Sequence, residues 1–418
     1  MHPLRTSADL AGLTGDMAGR RIVMLGEASH GTHEYYTWRT AIARKLIAEQ
    51  GFGFIAVEGD WPDCYKINRY VKGYPDAGDD IEQILKNFDR WPTWMWANWE
   101  TAAFAQWLRE YNKGLPADKK IGFYGLDVYS LWDSMKEMIG YLEKEDIQAA
   151  MSVKKAVLCF EPFNEDERMY ARYTLKDPGC QEEVLALLRE IRMKAQFLDG
   201  DREAGFNTEQ NALIAVNAEK YYRSMLGFDN ESWNVRDRHM METLNRLLKF
   251  HGENAKGIVW EHNTHIGDAR ATNMHKAGMV NIGQLARQEY GEENVYLVGF
   301  SCYAGTVIAG QEWGAPMEVM EVPPARPGSI EAVLHKESTG RSYILFNKED
   351  YGLYKTAIAH RAIGVVYDPL REKYGNYVPS ILSRRYNALI FFDETKALHP
   401  LHLHPNRHKL PETYPFSV

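Results

Sequence analysis

The chain has 418 residues, 45% of them hydrophobic and 12% aromatic, which is ample for a large buried core. A net charge of −8 without any basic run argues against nucleic acid and against anionic membrane surfaces as partners. Residues 1–19 lack the apolar core of a signal peptide, and no apolar run approaches the roughly 18–20 residues of a membrane helix, so a soluble, cytoplasmic protein is expected.

In chain order, Ile22–Leu25 reads as a short buried strand that stops at Gly26. The loop beyond it delivers Glu27, Ser29 and His30 just before a helical pattern near 33–50. Phe54–Val57 is a second strand, leading to Glu58-Gly-Asp60 and a helix from about residue 61. Trp91, Trp94, Trp96 and Trp99 then form an aromatic patch. Packing beneath the next helix is the favoured reading, with Trp96 in an apolar substrate wall as the sharper one. A third strand, Lys120–Tyr124, runs into Gly125-Leu-Asp127 and a helix near Leu131. Strands alternating with helices in this way predict a mainly parallel sheet.

From 133 to 250 the pattern is almost wholly helical, with apolar spacings of three and four over 181–197, 209–226 and 234–250. We read 133–250 as a helical insertion or cap within one domain spanning 1–418. Strand character returns at 257–260, 295–300, 342–346, 362–366 and 388–392. The four cysteines, Cys64, Cys159, Cys180 and Cys302, are scattered without a CxxC pair and predict reduced thiols. His399, His402, His404 and His408 fall in an aperiodic stretch and read as an exposed tail rather than a metal site.

Three strand ends carry comparable chemistry. The first gives Glu27 and His30, the second Glu58 and Asp60, and the third Glu261, His262 and His265. In open α/β sheets ligands bind beyond the carboxyl ends of the strands, so neighbouring strands would bring these groups into one pocket. His30, just ahead of a helix, is the candidate general base; the helix end favours neutral imidazole, while Glu27 or Glu58 would raise its basicity. Arg39 would pair with Glu58 or hold an oxyanion, although spacing alone slightly favours a surface position. Arg236, in Asn234-Val-Arg-Asp-Arg238, would face the sheet's carboxyl edge or belong to a solvated helix start.

A serine hydrolase is the minor reading, because Glu27-Ala-Ser29-His-Gly31 lacks the first glycine of a nucleophile elbow and Gly299-Phe-Ser301-Cys-Tyr303 lacks the second. A divalent-metal hydrolase built on the same histidines and carboxylates is the main alternative, without an HExxH motif to support it. A non-catalytic protein binding haem or a small apolar ligand is a third reading. No GxGxxG or P-loop appears.

Taken together, Gly26-Glu-Ala-Ser-His30 with Glu34, Ala56-Val-Glu58-Gly59, Asn234-Val-Arg-Asp237 and Trp260-Glu-His-Asn-Thr-His265 resemble the motifs of the erythromycin esterase family, over about 19–395. The resemblance implies a mixed α/β sheet flanked by helices, with a helical portion covering the cleft. It implies a hydrolase in which a histidine activates water with no covalent intermediate, metal or cofactor. By position, His30 resembles the base, Glu27 and Glu58 the acids around the water, Arg39 the pocket arginine, and His262 and His265 the second histidine pair. Arg236, Asp60 and Trp96 are the remaining candidates for substrate contact. The best-known members open the ester ring of macrolide antibiotics, so the expected partner is a small-molecule ester or lactone, with antibiotic resistance as one setting.

Overall fold

The structure is a computed structural model describing residues 1–197, 203–227, 230–337, 340–346 and 353–401. Its strands are β1 (His2–Pro3), β2 (Ile22–Leu25), β3 (Phe54–Asp60), β4 (Gly122–Asp127), β5 (Gly257–Trp260), β6 (Val295–Gly310), β7 (Met317–Val322), β8 (Arg341–Leu345), β9 (Ile358–Arg361), β10 (Tyr377–Ser380) and β11 (Ala388–Thr395). The main sheet runs β1-β8-β11-β6-β2-β5-β3-β4, with β7 paired to the extension of β6. From β11 to β4 every pairing is parallel, while β8 and β1 close one edge antiparallel.

The parallel strands are continuous apolar runs because helices cover both of their faces. In β2, Val23 and Leu25 join the apolar cluster on one face, whereas Ile22 and Met24 join the cluster on the other. The helix His33–Gln50 returns the chain from β2, and Trp61–Lys72 does so from β3. The first of these ends at Gly51, whose φ of 73° is the left-handed turn that glycine tolerates best.

Between β4 and β5 the chain is helical, in segments 131–145, 147–160, 167–174, 181–194, 204–224 and 231–251. This region packs around its own apolar cluster, which includes Leu142, Val153, Leu187 and Tyr222. Here the expectation of four reduced thiols fails. Cys159 and Cys180 form a disulfide, since the packing of the 147–160 and 181–194 helices brings their Cα atoms to 5.8 Å across 21 residues of sequence. Tertiary packing closes that loop, so no local cysteine spacing announces it. Cys64 and Cys302 are buried outside any disulfide.

Two further expectations are corrected. The strand predicted at 362–366 is displaced: the paired residues are β9, antiparallel to β10 in a separate two-stranded sheet. Ala362, Ile363 and Val365 are buried core residues all the same, so their apolar run reflects packing rather than a ladder. The beginning of the supposed C-terminal tail is also docked, with the Leu398 N–H donating to the Gly31 carbonyl at 3.0 Å and the Leu401 N–H to that of Ala97 at 2.8 Å. His402, His404 and His408 lie outside the described residues. No helix among the described residues is long and apolar enough to cross a membrane.

Candidate active site

Strand β5 lies between β2 and β3, so the three polar strand ends are neighbours. Asp127, at the end of β4, adds a fourth carboxylate-bearing strand end to the same edge. From the opposite side, the helix Glu231–His251 supplies Arg236 and Asp237.

His30 Nδ1 lies 2.9 Å from Glu27 Oε1, and Arg39 Nη2 donates to Glu27 Oε2 at 2.7 Å. The Arg39 guanidinium sits 4.4 Å from the Tyr36 ring centroid and 5.1 Å from that of Trp260. It is fully buried, which overturns the surface reading; its carboxylate partner, twelve residues earlier, and two aromatic faces offset the loss of water. It pairs with Glu27 and not with Glu58.

Arg236 is the electrostatic centre. Its Nε and Nη2 donate to the two oxygens of Asp127 at 2.9 and 2.7 Å, and Nη2 also donates to Glu58 Oε1 at 2.7 Å. Nη1 lies 3.0 Å from His265 Nε2. The side chain is 3% exposed, so the solvated-helix reading falls. Since a guanidinium only donates, His265 Nε2 must accept, which puts the His265 proton on Nδ1, facing Asp237 Oδ1 at 3.0 Å. The Trp233 indole stacks on the His265 ring at 4.5 Å.

Glu58 takes the backbone N–H of His262 on Oε2 at 2.8 Å. Burial works against its charge, but His265, Arg236 and His30 around it, with that N–H, hold the carboxyl well below the usual range. Trp96 stands behind this strand end: its indole N–H donates to the Glu58 carbonyl at 2.9 Å, and its ring packs against Tyr36 and Phe123. Asp60 pairs with Arg90 at 2.6 Å. Burial, resisted by Arg90 and reinforced by Asp127, pushes the Asp60 carboxyl up to about 7.

The His262 ring centroid is 4.9 Å from that of His30. Its Nδ1 is 2.8 Å from Thr264 Oγ1 and accepts the Thr264 N–H at 3.3 Å. These bonds place the His262 proton on Nε2, a buried atom with no protein partner. Burial and the neighbouring His30 push its pKa well below the ordinary value. Glu261 is fully buried with both oxygens unpartnered, and burial together with Glu58 and Asp237 raises its pKa far above normal. The Ser29 hydroxyl is bonded to that of Thr32.

Thus the structure gathers Glu27, His30, Arg39, Glu58, Arg236, His262 and His265 at one sheet edge, each no more than 2% exposed. Asp127 and Asp237 were not singled out from sequence, and Glu261 was read as part of the third polar strand end without a role of its own. Asp127 had a usable signal, the same carboxylate-at-a-strand-end pattern that drew attention to Glu58.

Comparison with known proteins fits this architecture. Erythromycin esterase type II of Escherichia coli is 24% identical over 370 residues, 82% of this chain and 85% of that protein. A putative hydrolase of Bacillus subtilis, YbfO, is 20% identical over 93% of this chain and 86% of its own. A solved Bacillus cereus protein superposes with a TM-score of 0.78 at 19% identity, covering 96% and 97% of the two chains. A mutant of the erythromycin esterase EreC, in its open conformation, gives 0.66 at 16% identity over 94% and 95%. Fold and relatives together define a hydrolase with a mixed, mainly parallel α/β sheet. The chain belongs to the erythromycin esterase family, whose match spans residues 47–395. That span starts later than the 19 expected, so Glu27, His30 and Arg39 precede it and rest on the geometry described above.

Proposed function

We propose that this protein hydrolyses a carboxylic ester or lactone with water activated at His30, without a covalent enzyme intermediate. The observation that carries this reading is the buried Arg39–Glu27–His30 relay. With the Glu27 carboxylate on Nδ1, the His30 proton is held there and Nε2 is left as the basic atom. Nε2 takes a proton from water as the hydroxide oxygen bonds to the acyl carbon; the C–O bond then breaks, and the leaving alkoxide takes that proton. Base catalysis of this kind contributes about 10²–10⁴-fold.

His262 has the complementary tautomer. Its Nε2–H is a preorganised donor, suited to the oxygen on which charge develops, and such a donor is worth about 10²–10³-fold in rate. Glu58 and Arg236 hold the frame, Glu58 through the His262 backbone and Arg236 through His265. The Ser29 hydroxyl bonds to Thr32 and not to an imidazole, which favours water as the nucleophile. The helical segment 133–250 is read as the cap over the cleft, and Arg39, Asp60 and Trp96 as shaping it from beneath. Kinship with an enzyme named for erythromycin puts macrolactones among the substrates to try.

The test is a panel of aryl esters, simple lactones and macrolides presented to wild type and His30→Asn, with intact-mass spectrometry during turnover. Wild type hydrolyses at least one class, His30→Asn is slower by about 10²-fold or more, and no acyl adduct appears. Equal rates in the two proteins, or a stable adduct, would sink the mechanism.

A further inference from the structure

At the start of the His33–Gln50 helix, three side chains from distant parts of the sequence converge. His33 Nδ1 is 2.5 Å and His399 Nδ1 is 2.7 Å from Glu100 Oε1. The two imidazoles meet edge to face at 5.1 Å. One ligand atom from each residue lies within 4.8 Å of the other two, and among the described residues this is where such a trio of histidine, cysteine or carboxylate groups occurs.

The geometry points to a divalent metal site, suited to Zn²⁺, formed by His33, Glu100 and His399. Two imidazoles and one carboxylate are a donor set that zinc takes readily, with water in the fourth position. The Glu100 side chain is only 4% exposed, while those of His33 and His399 are 32% and 60% exposed. The carboxylate therefore forms a buried floor, and the histidines form a rim open to water and to an arriving ion. Glu100 has no lysine or arginine partner among the described contacts, and its Oε2 is buried without a hydrogen bond. Its second oxygen is thus a buried, unpaired acceptor beside two convergent imidazoles, which is donor chemistry a cation can use. Tetrahedral Zn²⁺ with bonds near 2.0–2.1 Å sets its ligand atoms about 3.3 Å apart, so each imidazole nitrogen would need to move away from Glu100 Oε1 by less than about 1 Å.

The backbone around the trio indicates what the ion would do. The His33 N–H donates to the Lys396 carbonyl at 2.8 Å, and the Trp99 N–H to that of His399 at 3.0 Å. Glu34 Oε2 accepts the Lys396 N–H at 2.8 Å. Segment 396–401 is thereby laid across the loop that carries His30. The ion rivets this strap to the helix His33–Gln50 and to the helix Trp99–Lys113, a structural role separate from ester cleavage.

The experiment titrates Zn²⁺ into chelator-stripped full-length protein against a chromophoric competitor. Wild type binds one equivalent at this site, and Glu100→Gln or His399→Asn weakens it by more than about tenfold. The combined variant His402→Asn, His404→Asn, His408→Asn binds as wild type does, separating this site from the rest of the C-terminal histidines. Zn²⁺ raises the thermal midpoint only in proteins that bind it. Circular dichroism of the metal-free variants checks their folding, and Co²⁺ in the wild type supplies a reading that needs no variant, an intense visible band from four-coordinate metal. The proposal is overturned if wild type takes up no Zn²⁺, if Glu100→Gln and His399→Asn bind within about tenfold of it, if the combined variant loses the site, or if Co²⁺ gives only a weak six-coordinate spectrum.

Discussion

His30 and His262 stand 4.9 Å apart, and their Nδ1 atoms meet partners of opposite character: the Glu27 carboxylate for His30, the hydroxyl and N–H of Thr264 for His262. Adjacent imidazoles are thus locked in complementary tautomers, one offering a lone pair and the other a proton. If both act in one step, their losses will not add. His30→Asn and His262→Ala should each lower kcat by about 10²–10³-fold, with the double variant little worse than either single. Steady-state kinetics on the best ester from the panel decides it; multiplied losses would mean that the two rings serve separate steps.

Arg236 neutralises Asp127 and Glu58 in a region sealed from water. Replacing it with methionine keeps much of the volume but leaves two buried carboxylates facing each other. Urea unfolding should show a loss of about 3–5 kcal/mol, the usual cost of stranding a buried charge. A loss below about 1 kcal/mol would show that water already reaches the network.

Gly31 packs against the backbone of β6, where an added Cβ would lie 2.0 Å from the Ile308 carbonyl oxygen. Neither chain segment yields easily, since the Ile308 N–H already donates to the Gly31 carbonyl at 3.0 Å. Gly31→Ala should therefore cost about 1–3 kcal/mol and shift the His30 loop, lowering kcat/KM with it. Gly140→Ala is the control: it meets open space within the helix Leu131–Glu145 and should stabilise by about 0.5–1 kcal/mol. Identical stability changes in the two variants would refute the steric account.

Burial, opposed by a backbone hydrogen bond at Asp127 and reinforced by the Arg246 charge, lowers the His239 imidazole from 6.5 to about 3. Between those values the unfolded chain holds one more proton than the folded one, so stability rises with pH across the window. His239 alone should make the protein about 2 kcal/mol less stable at pH 5 than at pH 7.5. His262, also pushed below its ordinary value, acts in the same direction. Asp60, raised from 3.8 to about 7, acts in reverse, because there the folded state holds the extra proton. Comparing His239→Gln with wild type cancels the Asp60 contribution. The variant should lose less stability between pH 7.5 and 5, and parallel pH profiles would contradict the assignment.

Much of the sheet edge was legible in the sequence because parallel α/β folds place chemistry at strand ends, and Glu27, Glu58 and His262 follow apolar runs that can only be strands. Neighbouring positions of those strands were a condition of the reading, and β5 meets it by lying between β2 and β3. Arg39 and Arg236 were harder. Charge type argues for solvent, and only three-dimensional partners such as Glu27 and Asp127 make burial of a guanidinium tolerable. The disulfide and the docking of His399 depend on contacts across 21 and 299 residues, which no local pattern encodes. β7 was missed because it pairs only with the extension of β6 and keeps much of its surface in water, so its apolar signal is weak.

The side chains of His30, Glu27, Glu58 and His265 are each 1% exposed. With His30 as the proposed base, a reactant would reach it only after packed side chains part, and would react only once they close again. Turnover on a good ester should then feel solvent friction, slowing as sucrose thickens the medium, while a poor ester limited by bond breaking should not. On the proposed mechanism, the same enclosure would spare the basic nitrogen of His30 from idle exchange with bulk water between visits.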